Sequence, residues 1–274
     1  MTDSHLRELE RRFRASGSAE DEAAWLRARV QAGELAEHHL ALAAYLGSPA
    51  AELVTPPEHM EEFLAVLEEQ GGPIQETRNL FEPPPTGTLA TWSAVLPTED
   101  GELCTRVALA ACRAAAIHHP GLVWAGEVFA AIEDYVLSPQ ASADLETLGN
   151  YWWSHTRTCY ARLPDELTAQ AFGWAVMNAQ VLASYDPEGA GPPPDGQERF
   201  KKWRAEWADN RSMLGDVLAG AQHALGPQGE RKVALAIRSE VSPWLLGYSD
   251  PVRECVEARQ REVAGSSSPP QDPL

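Results

Sequence analysis

The sequence has no CxxC pair, no HExxH, no GxSxG and no glycine-rich phosphate loop anywhere in its 274 residues. Each absence removes a class of chemistry. Without closely spaced cysteines there is no zinc-finger or redox dithiol signature, and Cys104, Cys112, Cys159 and Cys255 read as reduced, scattered thiols. Without a nucleophile elbow or phosphate loop there is no motif for acyl transfer or nucleotide binding. The segment HMEEF at His59 lacks the second histidine of a zinc protease. His38-His39 and His118-His119 are adjacent pairs, and neighbours on a helix point about 100° apart, so neither pair closes on one ion alone. His155 and Cys159 share a helical face at zinc spacing, but no second pair matches them. No catalytic residue, metal or cofactor is therefore expected.

Long apolar runs are also missing. The most apolar stretch, 107–117, contains Cys112 and Arg113 and falls short of the roughly 18 residues a membrane span needs. The first residues, MTDSHLRELERRFRASG, contain no apolar signal core, so a cytoplasmic location is expected. Positive charge is scarce: 22 Lys plus Arg stand against 40 Asp plus Glu, a formal charge of −18. Such a field repels nucleic-acid phosphates and anionic membranes and attracts basic proteins. The expected partner is another protein, with no nucleic acid and no membrane.

What the sequence does contain is helical periodicity. Ser18 reads as an N-cap ahead of Glu20, Asp21 and Glu22, and Trp25, Leu26 and Val30 continue that helix to Gly33. Leu35, Leu42 and Leu46 form the stripe of the next, and the short turn between the two predicts antiparallel neighbours. Thr55-Pro56-Pro57-Glu58 reads as a capping box opening a helix with Met60, Phe63, Leu64 and Leu67 on its apolar face. Residues 73–101 are proline-rich and form the expected connection, with 88–96 readable as either a short strand or a helix. From Glu102 the helical signal strengthens: 102–117, 124–137, 138–162 and 164–182 precede a loop at 186–196, and further helices follow Phe200, Pro227 and Asp250-Pro251. The expected organisation is an N-terminal helical module over 1–72, the connection 73–101, a main helical domain over 102–263 and a disordered tail over 264–274. The fold class is all-α, a multi-helix bundle or α-solenoid of antiparallel helical hairpins with at most one short strand. Tyr45-Leu-Gly-Ser-Pro49 echoes Tyr135-Val-Leu-Ser-Pro139, a faint sign of a helical repeat.

Nine tryptophans stand out, with Trp152-Trp153 the densest point. Adjacent residues on a helix cannot both face one core, so one of the two is a candidate anchor for a partner.

Two stretches carry a family resemblance. Residues 6–51, LRELERRFRASGSAEDEAAWLRARVQAGELAEHHLALAAYLGSPAA, resemble a helical module that opens many bacterial proteins. Residues 106–140, RVALAACRAAAIHHPGLVWAGEVFAAIEDYVLSPQ, resemble the core of helical immunity proteins encoded beside bacterial toxins. The shared pattern is an Arg-initiated, Ala-rich helix followed by an acidic helix and a Ser-Pro turn. Here it falls on Arg106, Ala108, Cys112, Glu127, Ile132, Glu133 and Ser138-Pro139. The resemblance implies an all-α protein that binds and neutralises a toxin, and an acidic inhibitor suits a basic one. The functional expectation is therefore an acidic protein-binding module. A helical-repeat adaptor or scaffold, and an enzyme without a recognisable motif, are the alternatives. Glu127, Glu133, Asp134 and Trp153 are the candidate protein-binding residues.

Overall fold

The computed structural model describes residues 3–75, 84–99, 101–121, 124–138, 173, 175–179 and 210–266. In chain order the helices are α1 (Asp3–Ser16), α2 (Ala19–Gln31), α3 (Glu37–Tyr45), α4 (Pro49–Glu52), α5 (Pro57–Glu69) and α6 (Gly87–Val95), the last running into a 3-10 turn at Leu96–Thr98. They continue as α7 (Gly101–Ala116), α8 (Trp124–Leu137), α9 (Asn210–Ala224), α10 (Gly229–Leu245) and α11 (Pro251–Ser266). Residues 175–179 are helical as well, and no strand occurs among the described residues. The fold is an all-α helical bundle.

At its centre lies α7. Every residue from Leu103 to Cys112 is buried, including Thr105 and Arg106, and the helix packs on α8, α9 and α10. A helix buried all round needs small residues where backbones approach, and α7 supplies Ala108, Ala110 and Ala111, each fully buried. One continuous apolar core runs from Ala23 in α2 to Val252 in α11. Part of the stretch expected as a connection belongs to that core. Residues 88–96 are helical, and α6 sinks Leu89, Trp92 and Val95 into it while packing on α5, α9 and α10.

Local signals were kept in some places and overridden in others. Ser18 caps α2 as expected, accepting from the Asp21 N–H at 3.2 Å. Thr55 does not cap α5; its hydroxyl donates back to the Ala51 carbonyl at 2.9 Å, and the helix starts after Pro56. The short turn after α2 does not make a hairpin of α2 and α3, because α2 packs chiefly on α1 and α4. Not every large apolar side chain goes inside: Ile117, just past α7, and Leu235 of α10 are 79% and 64% exposed. α11 continues through Ser266, past the expected start of the tail.

α6 is capped from far away. Its own Thr86 makes no side-chain cap bond. The Thr88 N–H instead donates to Glu230 Oε1 at 3.0 Å, and the Thr86 N–H to Gln222 Oε1 at 3.0 Å. A carboxylate from α10 thus meets the positive end of the α6 dipole.

Candidate functional site

Glu127, Glu133 and Asp134 all lie on α8, but they do different things. Glu127 is exposed in the first turn, where the helix dipole favours a carboxylate. Glu133 is turned inward and only 4% exposed. Its Oε1 accepts from Arg113 of α7 and its Oε2 from Arg259 of α11. Arg259 also donates to Asp134 at 2.6 Å and to the Ala130 carbonyl at 3.2 Å, while Arg113 reaches Glu240 of α10 at 2.6 Å. Four helices are therefore tied through one buried carboxylate, and Glu133 is spent inside the fold. Burial, and then the nearby Arg113 charge, lower the Arg259 pKa from its usual range. Trp153 lies outside the described residues.

A second interior clamp involves Arg106, which is 5% exposed. Its two Nη atoms hold Asp250 at 2.8 and 3.1 Å, its Nε reaches Glu102 at 2.9 Å, and its guanidinium lies 4.3 Å from the Trp244 ring centre. Burial pushes the Asp250 carboxyl up, but the Arg106 bond and the N–H groups of Arg253 and Val252 outweigh it, and its pKa is lowered. Nearby, Phe13, Trp25 and Tyr248 stack, with ring centres 5.4 Å apart for Trp25 and Tyr248 and 5.5 Å for Phe13 and Trp25. The Tyr248 hydroxyl donates to Glu22 at 2.7 Å, joining the α1–α2 pair to the α10–α11 corner. Burial alone raises the Cys112 thiol far above its normal range, which disfavours the reactive thiolate and fits its place in the packed core. Among the described residues no group of three or more His, Cys, Asp or Glu is placed to hold a metal, and His155 and Cys159 lie outside them. No described helix is long and apolar enough to cross a membrane.

The uncompensated charge lies elsewhere. Residues 30–105 contain thirteen acidic residues against one cation, Arg78, a net −12 of the chain's −18. α5 presents the densest part. Glu58, Glu61, Glu62, Glu68 and Glu69 are all exposed, and none makes an ion pair or side-chain hydrogen bond among the described residues. Leu64 lies among them at 55% exposure, and Leu53 just before the helix at 54%. The opposite face holds α5 down: Phe63 is 4% exposed and its ring centre lies 4.7 Å from that of Tyr45. Glu68 and Glu69 sit in the last turn, which has no basic residue, so the dipole works against them by about 0.3–1 kcal/mol each. A helix optimised for its own stability would not end this way. The face is a row of carboxylates with a greasy centre.

No family model, curated protein or solved structure matches this chain. The candidate face is not evident from the sequence, because Leu64 falls on the expected apolar stripe of α5 and the carboxylates of α8 look equally available there. A usable signal was present: 30–77 contains no Lys or Arg at all, so the α5 carboxylates have no cation within reach on their own helix.

Proposed function

We propose that this chain is an acidic protein-binding module that docks a basic partner protein on the exposed face of α5. One observation carries the reading: five carboxylates and a half-exposed leucine share a helix that spends none of them on its own fold. Unpaired surface carboxylates speed encounter with a cationic patch, and an apolar centre gives the complex a desolvated anchor. The same field works against nucleic acid and anionic lipid. A basic toxin that the chain neutralises is the partner class that the resemblance to immunity proteins implies.

The test is to replace Glu61, Glu62, Glu68 and Glu69 together by Gln. These side chains hold nothing in place, so the fold is expected to keep its helical circular dichroism, with a melting temperature no lower than the parent's because Glu68 and Glu69 no longer oppose the α5 dipole. A basic protein that co-purifies with the natural chain from its own host should bind this variant at least about tenfold more weakly, and its association rate should fall steeply with salt. Equal affinity for the two chains, or a salt-independent association rate, would refute the reading.

A further inference from the structure

A second helix face carries the opposite sign. On α10, Arg231, Lys232, Leu235 and Arg238 are all exposed, Leu235 at 64%. Among the described residues none of the three cations forms an ion pair, although the chain is acidic overall. Arg238 donates from Nε to the Leu46 carbonyl at 2.6 Å, which fixes its place without neutralising its charge. Arg231 and Lys232 occupy the first turn of α10, where a helix dipole disfavours cations. Glu68 and Glu69 occupy the last turn of α5, where it disfavours carboxylates. Each helix end is loaded against its own dipole, and each is what the other would relieve.

The spacing also agrees. Glu61, Leu64 and Glu68 follow at intervals of three and four, and Arg231, Leu235 and Arg238 at intervals of four and three. Both patterns make a single row on a helix. Laid antiparallel, the rows coincide: Glu68 meets Arg231, Leu64 meets Leu235 and Glu61 meets Arg238, along about 10 Å of each helix. That sense also sets the carboxyl end of α5 beside the amino end of α10. A parallel arrangement shifts the two leucines out of step by one residue and aligns the dipoles unfavourably. Both rows face solvent, so they are not matched within one copy.

We propose that the α5 face of one copy docks antiparallel on the α10 face of another, with Leu64 packed on Leu235. The proposal rests on the reading of α5 as a docking face and names α10 of a second copy as a basic partner for it. Two different faces make a head-to-tail contact, which yields open oligomers unless the rotation closes a ring. The −18 charge opposes approach at long range, but at physiological salt it is screened beyond about 8 Å, whereas pairs in contact persist. Self-association should therefore peak at intermediate ionic strength.

Sedimentation equilibrium over a dilution series tests this with Glu68→Arg and Arg231→Glu. Both residues are exposed and hold no described partner, so each variant is expected to keep the helical circular dichroism of the parent. The parent chain should gain mass with concentration, and each variant alone should associate about tenfold more weakly or less. An equimolar mixture of the two should regain association, because the reversed α5 of one meets the reversed α10 of the other. A parent that stays monomeric, an Arg231→Glu chain that associates like the parent, or a mixture that stays apart would each overturn the proposal. A polyarginine peptide separates it from the reading on which it rests. Peptide binding that is weakened by Glu68→Arg but not by Arg231→Glu, in a parent that does not self-associate, removes the self-docking alone. Loss of peptide binding as well removes α5 as a docking face.

Discussion

Replacing Glu133 by Gln should destabilise the fold and leave partner binding untouched. Glu133 is 4% exposed, and each of its oxygens takes a guanidinium, one from Arg113 and one from Arg259. Removing one member of a buried ion pair typically costs about 3–5 kcal/mol, because the partner charge is left without compensation. Here each arginine keeps a second carboxylate, Glu240 for Arg113 and Asp134 for Arg259, and Arg259 is 35% exposed. The penalty should therefore fall to about 2–3 kcal/mol, part of it from an amide NH₂ that must face guanidinium N–H groups. With a urea dependence of about 3 kcal/mol per molar for a chain of this size, the midpoint should drop by about 0.7–1 M. The assay is urea unfolding followed by circular dichroism, with Arg259→Gln and the double variant completing a cycle. A strongly non-additive cycle is expected, since both changes dismantle one network. A midpoint shift below about 0.2 M, near the ordinary effect of a surface change, would show that Glu133 is not the tie between α7, α8 and α11.

Trp92→Ala removes the largest fully buried side chain among the described residues and should cost about 3–5 kcal/mol, read as a lowered urea midpoint. Gly229→Ala should be severe, because its new Cβ would lie 2.0 Å from the Gln222 backbone carbonyl at the α9–α10 corner; a melting temperature within a degree or two of the parent's would contradict this. Among Cys104, Cys112 and Cys255, only Cys255 is exposed, so peptide mapping after brief alkylation should find it labelled first. Stability should fall at both pH extremes. The folded pKa of Asp250 is lowered, so its contribution is present above the unfolded value near 3.9 and is lost as pH falls below it. Tyr248 is raised by burial and then by Glu22, so its contribution is present below the unfolded value near 10 and is lost as pH rises past it. Asp250→Asn should flatten the acid limb of a melting-temperature profile, and Tyr248→Phe the alkaline one.

The all-α class was readable because apolar spacing reports helices directly, and α8 falls on 124–137 as its periodicity predicts. α6 was not readable. Six of its nine residues are buried, so no stripe stands out, and the group that caps it comes from Glu230, 142 residues downstream. The Thr55 cap failed for a related reason: a local hydroxyl had a competing carbonyl at Ala51. For the candidate site, acidity was legible but its location was not. Sequence shows which carboxylates exist; only packing shows that Glu133 is consumed by two arginines while the α5 row is consumed by none.

The distant cap on α6 has a consequence for how this chain is made. On a ribosome, residues 87–95 emerge long before Gln222 and Glu230 exist, so the amino end of that helix has no partner during most of synthesis. Leu89, Trp92 and Val95 must then wait, uncovered, for helices that close over them late. A chain cut short before α10 would lack the lid on its own core and should be handed to chaperones or proteases rather than persist as a half-molecule.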